Sequence, residues 1–260
     1  MSVFVADLGG TWLRTAVYAP ETRSLSQLST WPTPDDPAAC RAAIEAAWYA
    51  ARRPRHVGIA AAPTLGGDGL VRGWGNRPDY VGHALLAPCM AATARVVDDG
   101  TAAAVAAHAA WDAGESIVLA VTVGTGIGGG AVIAGKPLVG ARGSAMEVGH
   151  IRVPPASGHT CACGADGCVQ AVASGRAIAA ALAAGCSEEG ALDRAAEAIR
   201  ALVAILVTAF DPHRIALSGG LGLGALRGRL IADGPTMALE PHPCGEEAGL
   251  VGAGLIASSD

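Results

Sequence analysis

IVLAVTVGTGIGGGAVI, residues Ile117–Ile133, is the stretch whose reading decides the fold. Ile117 to Val123 is a run of apolar and β-branched residues, which predicts a buried strand. It enters the glycines of Gly124–Gly130, and Ala131 to Ile133 continues as a partner strand. A GxGxxG string is also the start of a dinucleotide fingerprint, but there the glycines open a helix. Here they lead into a strand-like run, which argues against a dinucleotide site. Near the start of the chain, SVFVADLGGTWLRTAVY, Ser2–Tyr18, repeats the plan: strand, glycine turn, strand. Two such units predict an internal duplication with one phosphate-binding turn in each half. Gly9 and Gly10 can bring backbone N–H groups close to phosphate oxygens, and Thr11 adds a hydroxyl. Asp7, at the strand end, can hold magnesium through water, and Arg14 can reach the phosphates. Either turn alone would be weak evidence, because a plain hairpin can carry a Gly-Gly turn.

Outward from these turns, Pro37–Arg52 predicts a helix with Ala42, Ala43, Ala46, Ala47 and Ala50 on its packing side. His56–Ala61 predicts a buried strand. Trp31–Asp36 reads as a proline-rich loop and Gly66–Gly75 as a glycine-rich one. Asn76, Arg77 and Pro78 then lie where an exposed polar side chain could face a cleft. Arg95–Val97 predicts a strand that delivers Asp98, Asp99 and Gly100 to its C-terminal end, where ligands gather in open α/β sheets. Thr101–Trp111 predicts an alanine-rich helix. Helices are also expected over Ala171–Ala184, Leu192–Phe210, Ala225–Ile231 and Gly249–Ala257, with a short strand over Arg214–Leu217 leading to Gly219 and Gly220. Helix N–H groups near that Gly-Gly would lie on the adenosine side of a nucleotide.

A second signal lies in EVGHIRVPPASGHTCACGADGCVQ, Glu147–Gln170. His150, Cys161, Cys163 and Cys168 have the residue types of a closed Cys₃His zinc site. Gly164 and Gly167 allow the third sulfur to fold back onto the first two. His159 is a second candidate for the imidazole. His150 is preferred because it sits in Glu-Val-Gly-His, beside a carboxylate with work of its own.

Composition limits the remaining possibilities. Hydrophobic residues make up 51% of the 260 and charged residues 16%, which fits a globular chain and excludes a disordered one. A net charge of −5 gives no footprint for nucleic acid. No charged stretch followed by an apolar one opens the sequence, so no secretory signal is expected, and no apolar run approaches the ~20 residues needed to span a bilayer. Seven cysteines, an odd number with three assigned to a metal, fit a reducing compartment, so a cytoplasmic location is expected.

Five stretches together resemble the ROK sugar kinases of the actin-like ATPase superfamily: DLGGT at Asp7, DDGTAAA at Asp98, TVGTGIGGG at Thr122, EVGHIRV with CACGADGC at Glu147, and DPHRIALSGG at Asp211. The resemblance implies an α/β fold of two actin-like (ribonuclease H-like) domains flanking a cleft. The expected division is residues 1–97 and 98–260, with packing of the last helix, about 246–260, back onto the first domain left open. It implies ATP with magnesium, a structural zinc, and transfer of the γ-phosphate to a primary hydroxyl of a hexose. It makes Asp99 the general base, although an aspartate there could also cap the following helix. Asn76, Asp98, Glu147, His150 and Gln170 become sugar ligands. Gly9, Gly10, Thr11, Thr125 and Gly126 become the phosphate turns, and Gly219 and Gly220 the adenosine motif. His150 would serve both zinc and sugar, one ring nitrogen for each.

The family commonly has Asn-Asp at Asp98-Asp99 and Glu at Gln170, and the helical region after the knuckle looks short here. An ionised Asp98 only accepts hydrogen bonds, which favours a cationic partner and hence an amino-hexose of kanosamine type beside glucose. An N-acetylmannosamine kinase and a non-catalytic sugar-binding protein are the alternatives. The repressor branch of the family carries a DNA-binding segment ahead of its first glycine turn, and none is expected before Asp7. The expected partners are a sugar and ATP, with no nucleic acid and no membrane, in a homodimer.

Overall fold

The near-continuous burial of Val3–Leu8 marks a central strand covered on both faces. A computed structural model describes residues 1–66, 68–75, 77–141, 143–231 and 239–259. The chain divides into two compact units: Met1–Ala102 with the segment from Glu247 onward, and Ala103–Glu246.

In the first unit, β1 (Val3–Leu8), β2 (Trp12–Ala19) and β3 (Ser24–Pro32) form an antiparallel meander. Helix α1 (Pro37–Ala50) then crosses over to β4 (His56–Ala61), parallel to β1. After a small hairpin, β5 (Thr64–Leu65) with β6 (Val71–Gly73), and a short helix α2 (Pro88–Ala91), β7 (Ala94–Asp98) pairs parallel with β4. The sheet order is β3-β2-β1-β4-β7. Alternate residues of β1 serve opposite layers. Phe4, Ala6 and Leu8 pack in one core with Ile44 and Trp48 of α1. Val3 and Val5 pack in another with Leu250, Ala253 and Ala257 of the C-terminal helix Ala248–Ser258. That helix lies so close to the end of the first segment that a Cβ at Gly252 would sit 1.9 Å from Ala102 O.

The second unit repeats the plan. Helix α3 (Asp99–Ala110) carries the chain across the division. Strands β8 (Val118–Val123), β9 (Ile127–Ile133) and β10 (Lys136–Pro137) form the meander. Helices α4 (Gln170–Ala173), α5 (Gly175–Ala183) and α6 (Glu188–Phe210) lead to β11 (Arg214–Ser218), parallel to β8. Helices α7 (Gly220–Leu223) and α8 (Arg227–Ile231) precede β12 (Leu239–Pro241). The order, β10-β9-β8-β11-β12, and the strand senses match those of the first sheet. The duplication expected from the two glycine turns is thus present in the topology. Its core joins Leu192, Ile199, Leu202 and Leu206 of α6 to Leu119, Val121, Ile215 and Leu217 of the sheet.

Several elements differ from the sequence reading. Polar Ser24–Pro32 forms the edge strand β3, so the expected loop at Trp31 begins inside a strand. The buried side of α1 is Cys40, Ile44 and Trp48, while Ala42, Ala46 and Ala50 are exposed. The larger side chains bury more apolar area per residue, and they set the rotation of the helix. The helix expected over Ala171–Ala184 is broken at Ser174, whose extended backbone ends α4 and whose hydroxyl caps α5 at Ala177 N–H. The helix expected from Ala225 begins earlier, at Gly220, and breaks at Gly224. Among the described residues, no helix is long and apolar enough to cross a membrane.

Candidate active site

The first unit holds the Asp7 turn. Gly9 N–H donates to Trp12 O at 3.0 Å and closes the β1–β2 hairpin. Every carbonyl of the turn is taken: Leu8 O by Ala62 N–H at 3.0 Å, Gly9 O by the Thr33 hydroxyl at 2.7 Å, Gly10 O by Arg77 Nε at 3.0 Å and Thr11 O by Thr33 N–H at 2.8 Å. Asp7 points its carboxylate at Arg14, Nη1 to Oδ2 3.7 Å, and at the first turn of the C-terminal helix. Burial pushes the Asp7 carboxyl up to about 6, against the opposing pull of Arg14. Arg14, expected to reach the phosphates, has its Nη1 beside Asp7.

Arg77 departs from the expectation of an exposed polar group. Its side chain is only 18% exposed and also donates to Pro34 O at 3.0 Å and Thr33 O at 3.1 Å. The guanidinium lies over the rings of Trp74 and Tyr80, 5.9 and 5.7 Å from their centroids. Tyr80 in turn donates its hydroxyl to Pro34 O. The neighbouring sugar-ligand candidate, Asn76, lies outside the described residues.

At the end of β7, the helix cap that the sequence reading weighed for Asp99 falls to its neighbour Asp98. Asp98 Oδ1 accepts from Thr101 N–H at 2.7 Å, the geometry of an N-cap bonding the third helical residue. The cap of α3 is therefore Asp98, and Asp99 is the first residue of the helix. A carboxylate in a first turn is favoured as an anion by the helix dipole.

The second unit holds the other turn and the cysteine cluster. Gly124 N–H donates to Gly126 O at 2.9 Å. The carbonyls of Gly124 and Thr125 accept from Gly175 and Arg176 N–H, at 2.8 and 3.4 Å, from the start of α5. Gly219 has φ +82°, and a Cβ there would lie 2.4 Å from Val123 O, so only glycine fits where β11 turns into α7. Around Gly220, the first residue of α7, no described atom beyond its chain neighbours and its own helix backbone lies within 4 Å of where a Cβ would sit.

His150, Cys161, Cys163 and Cys168 converge, with their ligand atoms all within 4.8 Å of one another. Cys163 Sγ to Cys168 Sγ is 3.7 Å, and Cys161 Sγ to His150 Nδ1 is 3.7 Å. A tetrahedron with Zn–S arms of ~2.3 Å and Zn–N arms of ~2.0–2.1 Å has edges of ~3.8 and ~3.6 Å, so the cluster fits zinc. A disulfide would need sulfurs at ~2.05 Å. Gly164 and Gly167, with φ of +86° and +82°, fold the knuckle back. Hydrogen bonds from Ala165 N–H and Cys161 lower the Cys163 thiol to about 7, while burial raises Cys168 to about 12. A bound cation would hold both as thiolates. His159 is not in the cluster. With Nδ1 turned to the sulfurs, Nε2 of the exposed His150 is left for another partner. Glu147 is likewise exposed, one residue after Met146, which has the left-handed φ of +65°.

Gln170, expected among the sugar ligands, uses its Oε1 to accept from Ile127 N–H at 2.9 Å. A Cβ at Gly149 would lie 2.3 Å from Ile127 O. The knuckle therefore braces the second glycine turn from both sides of Ile127. The sequence reading missed this contact, as it missed those of Thr33 and Arg77 with the first turn. A buried threonine and an arginine beside two aromatics carry no local pattern that points at a turn so far away in the chain.

The family model for the ROK family matches residues 4–226. An N-acetylmannosamine kinase from Salmonella arizonae is 31% identical over 295 aligned residues, covering 100% of this chain and 99% of that protein. The ROK hexokinase of Thermus thermophilus is 31% identical, with a TM-score of 0.75 over 98% of this chain and 97% of that one. A ROK family glucokinase from Streptomyces griseus, solved with glucose and AMPPNP, is 27% identical with a TM-score of 0.78, over 98% and 99% of the two chains. These matches, laid over the duplicated sheets, the paired glycine turns and the Cys₃His knuckle, show that the chain belongs to the ROK family.

Proposed function

We propose that this chain is an ATP-dependent sugar kinase that transfers the γ-phosphate to the primary hydroxyl of a hexose or amino-hexose. The observation that carries the reading is the pair of glycine turns, one in each unit, each with its carbonyls already engaged by protein donors. Such turns suit anions, because the engaged carbonyls are turned away from a ligand that the N–H groups can meet. Asp99 is the general base that takes the sugar hydroxyl proton as the phosphoryl group leaves. Glu147 and the Nε2 of His150 are proposed to bind sugar hydroxyls, with the zinc cluster holding His150 in one orientation and one tautomer. Zinc here is structural, since four protein ligands close its shell. Asp7, whose charge is disfavoured by burial, would gain from a cation, and we assign it to magnesium through water. Magnesium would neutralise the polyphosphate.

Two observations bear on the sugar. Asp98 spends one oxygen on the cap of α3, which weakens the case for it as a selector of an ammonium group. The identity of 31% with an N-acetylmannosamine kinase favours that sugar as a second reading beside glucose. The test is a screen of glucose, glucosamine, kanosamine and N-acetylmannosamine with coupled ADP detection. Sugar-dependent ADP release from any of them supports the reading. Sugar binding without ADP release would make the chain a non-catalytic sugar binder.

A further inference from the structure

The two glycine turns face the same physical problem. An anion bound by a backbone turn needs the N–H groups toward it and the carbonyls away from it. In a planar trans peptide the C=O of one residue and the N–H of the next point in opposite directions. Holding a carbonyl therefore aims the following amide. In the second unit the holding groups are backbone: the first amides of α5 take Gly124 O and Thr125 O, which aims Thr125 and Gly126 N–H the other way. Among the described residues of the first unit, no helix start does this. There the Thr33 hydroxyl takes Gly9 O at 2.7 Å and Arg77 Nε takes Gly10 O at 3.0 Å, which sets the direction of Gly10 and Thr11 N–H.

Resting on the kinase reading, we propose that Thr33 and Arg77 are positioning residues that aim the first phosphate turn at nucleotide. Both are built to hold still. Thr33 is 4% exposed and also uses its own N–H on Thr11 O, so one residue holds two carbonyls of the turn, on either side of Gly10. Arg77 is fixed by two further carbonyls, at Thr33 and Pro34, and by the Trp74 and Tyr80 rings. Its contact with Asp35, at 3.1 Å, adds little because Asp35 is fully exposed. A lysine keeps the charge but cannot reproduce a planar fork spread over three carbonyls.

The experiment measures, by calorimetry, the affinities of magnesium-AMPPNP and of glucose separately, together with the melting temperature. It uses the wild type, Thr33→Val, Thr33→Ser, Arg77→Lys and the Thr33→Val/Arg77→Lys double variant. The expected result is a loss of nucleotide affinity of roughly 10- to 100-fold in Thr33→Val and in Arg77→Lys. Glucose affinity in Thr33→Val stays within about twofold, and Thr33→Ser, which keeps the hydroxyl, recovers nucleotide affinity. The double variant loses less than the product of the single losses, because both act on one turn. Wild-type nucleotide affinity in both single variants overturns the proposal. Equal weakening of nucleotide and glucose in Thr33→Val also overturns it, since that marks a general role in folding. A wild type that binds no magnesium-AMPPNP overturns the kinase reading itself.

Discussion

Replacing Gly249 by alanine separates stability from activity. On helix propensity alone, the change in the first turn of the C-terminal helix should stabilise by up to about 1 kcal/mol. The structure opposes this gain. The new Cβ would lie 2.8 Å from Asp7 Cγ and 2.9 and 3.1 Å from its two oxygens. Non-bonded carbon contacts settle at ~3.5–4.0 Å, so something must yield by roughly 0.7–1.2 Å. The helix is anchored by Leu250 and Ala253 in the core, whereas the carboxylate ends a short side chain whose ion-pair partner, Arg14, is 3.7 Å away. The carboxylate therefore moves. Overpacking costs about 1–3 kcal/mol, which leaves a net loss of at most about 3 kcal/mol. A misplacement on the order of 1 Å can cost about 100-fold in rate. We expect kcat/KM for ATP to fall at least about 10-fold, with the KM for sugar unchanged. Coupled ADP release and urea unfolding measure the two effects. A variant about 1 kcal/mol more stable than wild type with unaltered kinetics would refute the packing of Asp7 against this helix.

Further outcomes follow from other parts of the site. The folded Asp7 carboxyl titrates near 6, so acidification through that value removes its charge; kcat/KM for ATP should drop along that limb, and Asp7→Asn should be low at every pH. The same raised value means the folded state binds the extra proton between the ordinary value of 3.8 and 6, so this group's contribution to stability falls as pH rises across that window. Asp98→Asn keeps the cap on Thr101 and should unfold within about 0.5 kcal/mol of wild type, whereas Asp98→Ala should lose about 1 kcal/mol; urea denaturation distinguishes them, and equal stabilities would remove the cap. Cys163→Ser should lower zinc from about one per chain and lower the melting temperature by about 5 °C or more. It should also weaken magnesium-AMPPNP, through the brace on Ile127. Unchanged melting in metal-free protein would contradict the structural role of zinc.

What could be read from the sequence was local. The turns at Gly9 and Gly124 announce themselves because glycine pairs between apolar runs have few other uses. The Cys-x-Cys knuckle does so because its ligands lie within a short span. The polar edge strand β3 gave no alternation to detect, since almost none of its side chains is buried. Asp98 and Asp99 are adjacent, and the difference between cap and base is a shift of one residue at a helix start, which periodicity does not resolve. The contacts that Thr33, Arg77 and Gln170 make with the turns were illegible for a third reason. Each acts on a turn 24 to 67 positions away, and only the folded sheets bring them together.

The measurement that bears most directly on the account is turnover in Asp99→Asn, made beside binding and melting on the same preparation. Asparagine at the first position of α3 preserves the Asp98 cap and the shape of the helix start while removing the base. The account predicts that sugar-dependent ADP release falls by about 10²- to 10⁴-fold, with magnesium-AMPPNP affinity, sugar affinity and melting temperature close to wild type. Turnover near the wild-type rate in a folded Asp99→Asn protein would contradict it.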